Sequence, residues 1–373
     1  MSAASISADA SAPGKIPLVF STDLYHPAQD PDDHYDLATI ARLDELDLKC
    51  VIFDQASFFR KPQEVALGAL EQVSAITGKP MPWALGLNEY LQSADDKGLG
   101  QDAQFQNGVE QILKTLRESS EKAVLFTAAS CRDFAAAFNR EPVLFKEKVS
   151  AIYLNVGKGP DGIQAEWNVK LDPLAFVRLL ESDLPVYWCP CLAPTPPPDL
   201  PATPQEVKDG VAFNTFYIIP DQDELLRDFP QKWRNYFAYA LSYSTEDPMQ
   251  YLGHSSVEIP KTRRKMWCTG PFYHAARRRI YKVQNGYAAY SPEQARALGL
   301  ADRETGVFRF EHTALRQGTP EKMQFSQNYP REVTVPFLVK VAAAENSTLR
   351  VFRYTNPDYN DIMVSVYKNL FMP

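Results

Sequence analysis

Phe20-Ser21-Thr22-Asp23-Leu24-Tyr25-His26-Pro27-Ala28-Gln29-Asp30-Pro31-Asp32-Asp33-His34-Tyr35-Asp36 is the stretch on which the reading of this 373-residue chain turns. It begins in the apolar run 16–21, which reads as a strand, and leads into 33–46, whose apolar spacing reads as a helix. Asp23 thus stands just past a strand end, and Asp30, Asp32, Asp33 and Asp36 lie between a turn and the first turn of a helix. Outward from this unit the same alternation repeats. Strands are expected over 49–53, 81–86, 123–126, 151–156 and 185–189, and helices over 62–77, 105–119, 130–138 and 173–181. That order predicts an α/β fold with a mostly parallel central sheet and helices on both faces. Ligands of such sheets bind at the carboxyl ends of the strands, so the loops after strands carry the chemistry.

Further along, Pro194, Pro196, Pro197, Pro198 and Pro201 fix an extended connector over 193–203. An aromatic-rich helix over 231–243 follows, and beyond Lys261 strands are expected over 307–310, 333–341 and 349–354. The organisation read from this is a flexible leader over 1–15, an α/β domain over 16–260 and a basic, strand-containing extension over 261–373 packed on the same domain.

The chain is 45% hydrophobic and 23% charged, which excludes a disordered, fibrous or low-complexity protein. Its acids are unevenly spread. Residues 1–260 carry 21 Lys/Arg against 37 Asp/Glu, a balance of −16, whereas 261–373 carry 18 against 9, a balance of +9. An acidic body argues against nucleic-acid binding and favours a metal or sugar site. No run of 18 apolar residues occurs, so no membrane-spanning helix is expected. The leader lacks the basic and apolar regions of a signal peptide, which leaves open a cytoplasmic protein and an exported one whose signal has been removed. Cys50, Cys131, Cys189, Cys191 and Cys268 are few and odd in number and read as reduced, buried thiols. Cys189 and Cys191, with no second pair, read as core residues before zinc ligands.

Asp32 and Asp33 at a helix start would cap it or complement its dipole, a role that occupies two acids at most. Further carboxylates at one strand end repel each other by about 4 kcal/mol per pair at about 4 Å and an effective dielectric of about 20, unless a cation neutralises them. Oxygen ligands select a hard ion, Ca²⁺ or Mg²⁺. An EF-hand loop is excluded, because Tyr35 occupies the position that demands Gly.

An Asp after a strand, followed by an Asp-Asp pair opening a helix, resembles the signature of the inosine/uridine-preferring nucleoside hydrolases. Three further segments fall in the same order. Val124-Leu125-Phe126-Thr127-Ala128-Ala129 resembles the family's strand that ends in a Thr whose carbonyl binds the metal. Ala165-Glu166-Trp167-Asn168-Val169-Lys170-Leu171-Asp172-Pro173 resembles its Glu-Phe-Asn-x-x-x-Asp-Pro segment, where Glu and Asn hold ribose hydroxyls. Glu246-Asp247-Pro248 resembles its His-Asp-Pro, where Asp is a metal ligand. The resemblance implies a Ca²⁺ ion held by Asp23, Asp33, Asp247 and the carbonyl of Thr127, with sugar hydroxyls on Asp32, Glu166 and Asn168. It implies hydrolysis of the N-glycosidic bond of a ribonucleoside or related N-riboside. Asp23 would accept the proton of a calcium-activated water, and the surrounding carboxylates would favour the positive charge of an oxocarbenium-like transition state.

The departures bear on substrate. Ser21 stands where the family has a second Asp, and the stretch from Asp23 to Asp32 is longer, which leaves Asp30, Asp32 and Asp33 all open as ligands. Glu246 replaces the His that serves purine-handling members as leaving-group acid; a Glu donates a proton there only if its pKa is raised. Ordinary purine nucleosides are therefore not the expected substrates. The expected partner is a small sugar or nucleoside, with a homo-oligomer open; a sugar-binding protein without turnover and a hydrolase of another glycoside are the alternatives. Trp233, Tyr236, Tyr239 and Tyr243, at helical spacing, read as core before aglycone contacts. His26 and His34 read as exposed loop residues beside the site, and His254, His274 and His312 lack transition-metal spacing. Arg263-Arg264-Lys265 and Arg277-Arg278-Arg279 read as solvated or paired with the acidic body or a neighbouring subunit. No phosphate-binding glycine loop or nucleophile elbow occurs.

Overall fold

The computed structural model describes residues 14–28, 30–55, 64–157, 166–191, 213–314, 321–324, 332–335, 342–343 and 347–372. Most of the expected leader and the proline-rich connector lie outside the described residues.

The run IPLVFST forms β1 (Ile16–Thr22), buried along its whole length, as a parallel strand covered on both faces must be. It pairs in parallel with β2 (Leu46–Phe53) on one side and β4 (Ala123–Thr127) on the other. β3 (Trp83–Leu85) continues the sheet beyond β2, and β5 (Val149–Leu154) and β6 (Val186–Trp188) continue it beyond β4, all in parallel. The strand Arg350–Tyr354 then lies parallel to β6, and Phe308–Ala314 and Ala342–Ala343 complete a nine-stranded sheet with antiparallel pairing.

Alternate residues of β1 feed two cores. Leu18 and Phe20 face a layer holding α1 (Asp32–Arg42), α2 (Leu67–Thr77) and the helices Gln231–Leu241 and Tyr359–Phe371. Val19 faces the opposite layer, with α3 (Asn107–Glu118), α4 (Arg132–Arg140), α5 (Pro142–Lys148) and α7 (Pro173–Leu180). The short α6 (Trp167–Leu171) precedes α7. Helices thus cover both faces of a mostly parallel sheet, as the alternation of runs predicts.

Element ends shift where the chain must turn. α1 ends at Arg42, not 46, because Leu43 is extended and carries the chain into β2. Beyond residue 261 the pattern is more helical than the sequence reading: Thr269–Ala275 and Tyr359–Phe371 are helices, and Phe371 of the latter stacks on Phe229 at 4.6 Å between ring centres. All five cysteines are free and buried. Among the described residues no helix is long and apolar enough to cross a membrane.

Candidate functional site

Parallel register ends β1, β2, β4 and β5 almost level: Ser21 pairs with Ile52 and with Thr127, and Thr127 with Leu154. Three main-chain bonds extend the ladder past the strands. Asp54 N–H donates to Thr22 O, Ala128 N–H to Ser21 O and Asn155 N–H to Thr127 O, each at 2.9 Å. The loops so tied form a floor at the carboxyl ends of the central strands, where open α/β sheets take their ligands.

α1 rises from that floor without a side-chain cap. Pro31 is the N-cap, and Asp32 and Asp33 are the first helical residues, so the capping role open to them in the sequence is not made. Asp33 Oδ1 instead accepts from Thr22 Oγ1 at 2.7 Å, and its carboxyl is hydrogen-bonded to that of Asp23. Asp32, Asp33 and Asp36 are 9%, 4% and 1% exposed. Burial pushes all three carboxyls well above the usual range, and for Asp32 and Asp33 the neighbouring carboxylates, Asp23 among them, push further. Arg264 opposes this at Asp32, but its own Nη1 is bound to Asp30 Oδ1 at 2.6 Å.

These shifts set a pH dependence. The native carboxyls keep protons at pH values where the same groups of the unfolded chain have ionised, so the native state binds more protons and loses stability as pH rises. Buried His34 and His274, held down to about 3 and about 4 by burial, act in the opposite sense at pH values below the ordinary histidine pKa. The clean window is therefore from about pH 6.5 to about pH 8, where Asp133, pushed up to about 7 by burial, adds to the effect. The urea midpoint is expected to fall across this window; a flat or rising midpoint contradicts the account.

Glu166 and Asn168 reach the same floor. Glu166 caps α6: Oε1 accepts from Asn168 N–H at 2.8 Å, and Oε2 from Gly157 N–H at 2.8 Å and Val169 N–H at 3.3 Å. Burial raises its pKa against those three bonds, and the charge of Asp23 adds to the rise. Asn168 Nδ2 donates to Ala128 O at 3.0 Å and Asn155 O at 3.1 Å. Asp23, Asp32, Asp33, Thr127, Glu166 and Asn168 are thus brought together around the ends of β1, β4 and β5.

Glu246 and Asp247 are placed differently, on the exposed loop after the helix Gln231–Leu241. Glu246 Oε1 meets His254 Nε2 at 2.9 Å. Asp247 caps the helix Pro248–Leu252 through Oδ1, which accepts from Met249 and Gln250 N–H at 3.0 and 2.9 Å. Gln72 Nε2 donates to Pro248 O at 2.6 Å, and a Cβ on Gly68 would come within 2.8 Å of the Pro248 ring, so α2 docks this loop closely. Trp233, Tyr236 and Tyr239 are buried, as their spacing predicts, and Tyr243 is exposed. The reading of His34 as an exposed loop residue is corrected: it lies in the first turn of α1 against Tyr236 of the helix Gln231–Leu241, 1% exposed, with neither ring nitrogen partnered. His26 is half-buried, stacked on Tyr239 with ring centres 4.4 Å apart, and its Nε2 contacts Ser244 O at 2.6 Å.

Three residues not singled out in the sequence complete the floor. Asn155 Nδ2 donates to Cys189 O, Thr215 Oγ1 and Trp267 O. Asp54, after β2, accepts from Ser130 Oγ and is pushed up to about 6, burial outweighing the nearby Arg132. Arg132, 0% exposed, binds Asp172 Oδ2 at 3.1 Å, Leu87 O at 2.8 Å and the carbonyls of Gln55 and Leu171. One guanidinium therefore ties the loops after β2, β3 and α6 together. Only Asp54 stands just past an expected strand end; Asn155 falls within the expected strand over 151–156 and Arg132 within the expected helix over 130–138.

No protein-family model and no curated protein matches the chain. Solved structures do. A plant nucleoside hydrolase superposes with a TM-score of 0.53 at 13% identity, covering 96% of this chain and 99% of that one. An inosine-guanosine nucleoside hydrolase superposes with a TM-score of 0.50 at 13% identity, covering 96% and 98%. At this identity the likeness is one of fold: the chain has the nucleoside hydrolase fold over nearly its whole length.

Proposed function

We propose that the protein is a calcium-dependent hydrolase of the N-glycosidic bond of a ribonucleoside or related N-riboside. The observation that carries this reading is the convergence of Asp23, Asp32 and Asp33 with Glu166 and Asn168 at the end of the central strand, in a chain of this fold. The donor set fits a hard cation. Asp23 and Asp33 are mutually repelling oxygen donors in a buried setting, and the nearby guanidinium of Arg264 is already engaged by Asp30.

Asp23, Asp33 and the carbonyl of Thr127 would hold the ion. A bound Ca²⁺ lowers the pKa of a water and orients a sugar diol. Asp23 would take the proton of the attacking water, while Asp32, Glu166 and Asn168 would hold sugar hydroxyls. The three backbone N–H groups on Glu166 fix its carboxylate against rotation, so orienting the hydroxyls costs little reorganisation. Glu246 would serve as leaving-group acid only once a bound substrate buried it.

Its exposed pairing with His254 favours a second reading, a ribose- or nucleoside-binding protein without turnover. A panel of purine, pyrimidine and non-nucleobase ribosides, with free sugar followed by chromatography, separates the two. Sugar release supports the hydrolase, calorimetric binding without release supports the binder, and neither overturns both.

A further inference from the structure

Asp36 has no place in that chemistry. It lies one turn after Asp32, on the same face of α1, whereas Asp33 points to Thr22 and Asp23. It is 1% exposed, and neither of its carboxylate oxygens makes a full-geometry hydrogen bond; the Cys268 thiol beside it only partly offsets the upward push of burial on its pKa. A buried carboxylate left in this way calls for a counter-group.

Facing it is Cys268, 2% exposed, immediately before the helix Thr269–Ala275. One donor atom each from Asp32, Asp36 and Cys268 lie within 4.8 Å of one another. Two ligands of one tetrahedral ion with bonds of 2.0–2.3 Å stand roughly 3.5 Å apart, so small side-chain rotations close this triangle around a cation. A further oxygen adjoins it: Cys268 Sγ donates to Asn155 Oδ1 at 2.7 Å. The bonds of Asn155 Nδ2 to Cys189 O, Thr215 Oγ1 and Trp267 O hold the amide with its oxygen toward the sulfur. The charged groups around the triangle are Asp23, Asp30, Asp33 and Arg264, and the last is bound to Asp30.

We infer that Asp32, Asp36 and Cys268 form a binding site for a thiophilic divalent cation such as Zn²⁺, distinct in its donors from the oxygen-only set of Asp23 and Asp33. Ca²⁺ and Mg²⁺ take oxygen ligands, and a thiolate beside carboxylates selects Zn²⁺ or Co²⁺. On binding, Cys268 gives its thiol proton to solvent, Asp32 and Asp36 release any carboxyl protons they hold, and metal–sulfur and metal–oxygen bonds form in their place, with no change of oxidation state. The inference does not rest on hydrolysis.

Co²⁺ is the probe, added to the full chain after treatment with chelator. A sulfur-to-cobalt charge-transfer band is expected, saturating at one equivalent and abolished by competing Zn²⁺. Cys268→Ser, with unchanged circular dichroism, is expected to lose the band. Asp36→Asn is expected to weaken Co²⁺ binding about tenfold or more. Calorimetric Ca²⁺ binding is expected to survive Cys268→Ser, and Cys268→Ala serves if the serine variant does not fold. Absence of the band in the unaltered protein, or its persistence without Cys268, overturns the site. A cobalt band in a protein that releases no sugar would sink the hydrolase reading alone.

Discussion

Asp23→Asn is expected to lower sugar release from an N-riboside by about 10²–10⁴-fold, the usual contribution of a positioned general base. The substitution preserves size and keeps one oxygen, so the loss reports the proton acceptor and the charge that holds the ion. Its effect on stability should run the other way. In chelator, Asp23 raises the pKa of Asp33 by its charge and by their shared hydrogen bond, so removing that charge relieves repulsion. The variant is therefore expected to unfold at the same or higher urea concentration than the parent in chelator, and to lose the stabilisation that Ca²⁺ confers. Rate assays and urea titrations on the same preparation separate these effects. Loss of activity through unfolding would show as a lower urea midpoint, and an active variant would remove Asp23 from the chemistry.

The second large effect is structural. Arg132→Met is expected to destabilise the fold by about 3–5 kcal/mol, because it leaves buried Asp172 and Asp54 without their cation. Four hydrogen bonds from the guanidinium are lost together, and with them the tie between the loops after β2, β3 and α6. Adding Asp172→Asn to Arg132→Met is expected to recover part of the loss, since the second change removes a stranded charge. Urea unfolding of the two variants measures this; a change below about 1 kcal/mol in the single variant would mean the network is not needed.

The sheet was legible because its central strands are unbroken apolar runs between helical patterns, which only a strand covered on both faces requires. Asp23, Asp32 and Asp33 were legible because too many acids stood at one strand end to be caps. Asp54, Asn155 and Arg132 were not, since each is a lone residue whose partners come from loops far apart in the chain. Nor could the sequence say that Asp247 caps a surface helix, because an Asp-Pro pair opens a helix and supplies a ligand with the same residues. His34 was misread for a related reason. Its burial comes from packing against Tyr236, a residue far along the chain that no local signal ties to it.

Calcium dependence of sugar release tests the central claim most directly. The protein, stripped with chelator, is mixed with each N-riboside of the panel, and free sugar is followed as Ca²⁺ is returned. Release is expected to stop on stripping and to recover along a saturable calcium curve, shifted to higher concentrations by Asp33→Ala. Release that continues unchanged in chelator, or recovery that ignores Asp33, would contradict the assignment of these carboxylates to a catalytic cation.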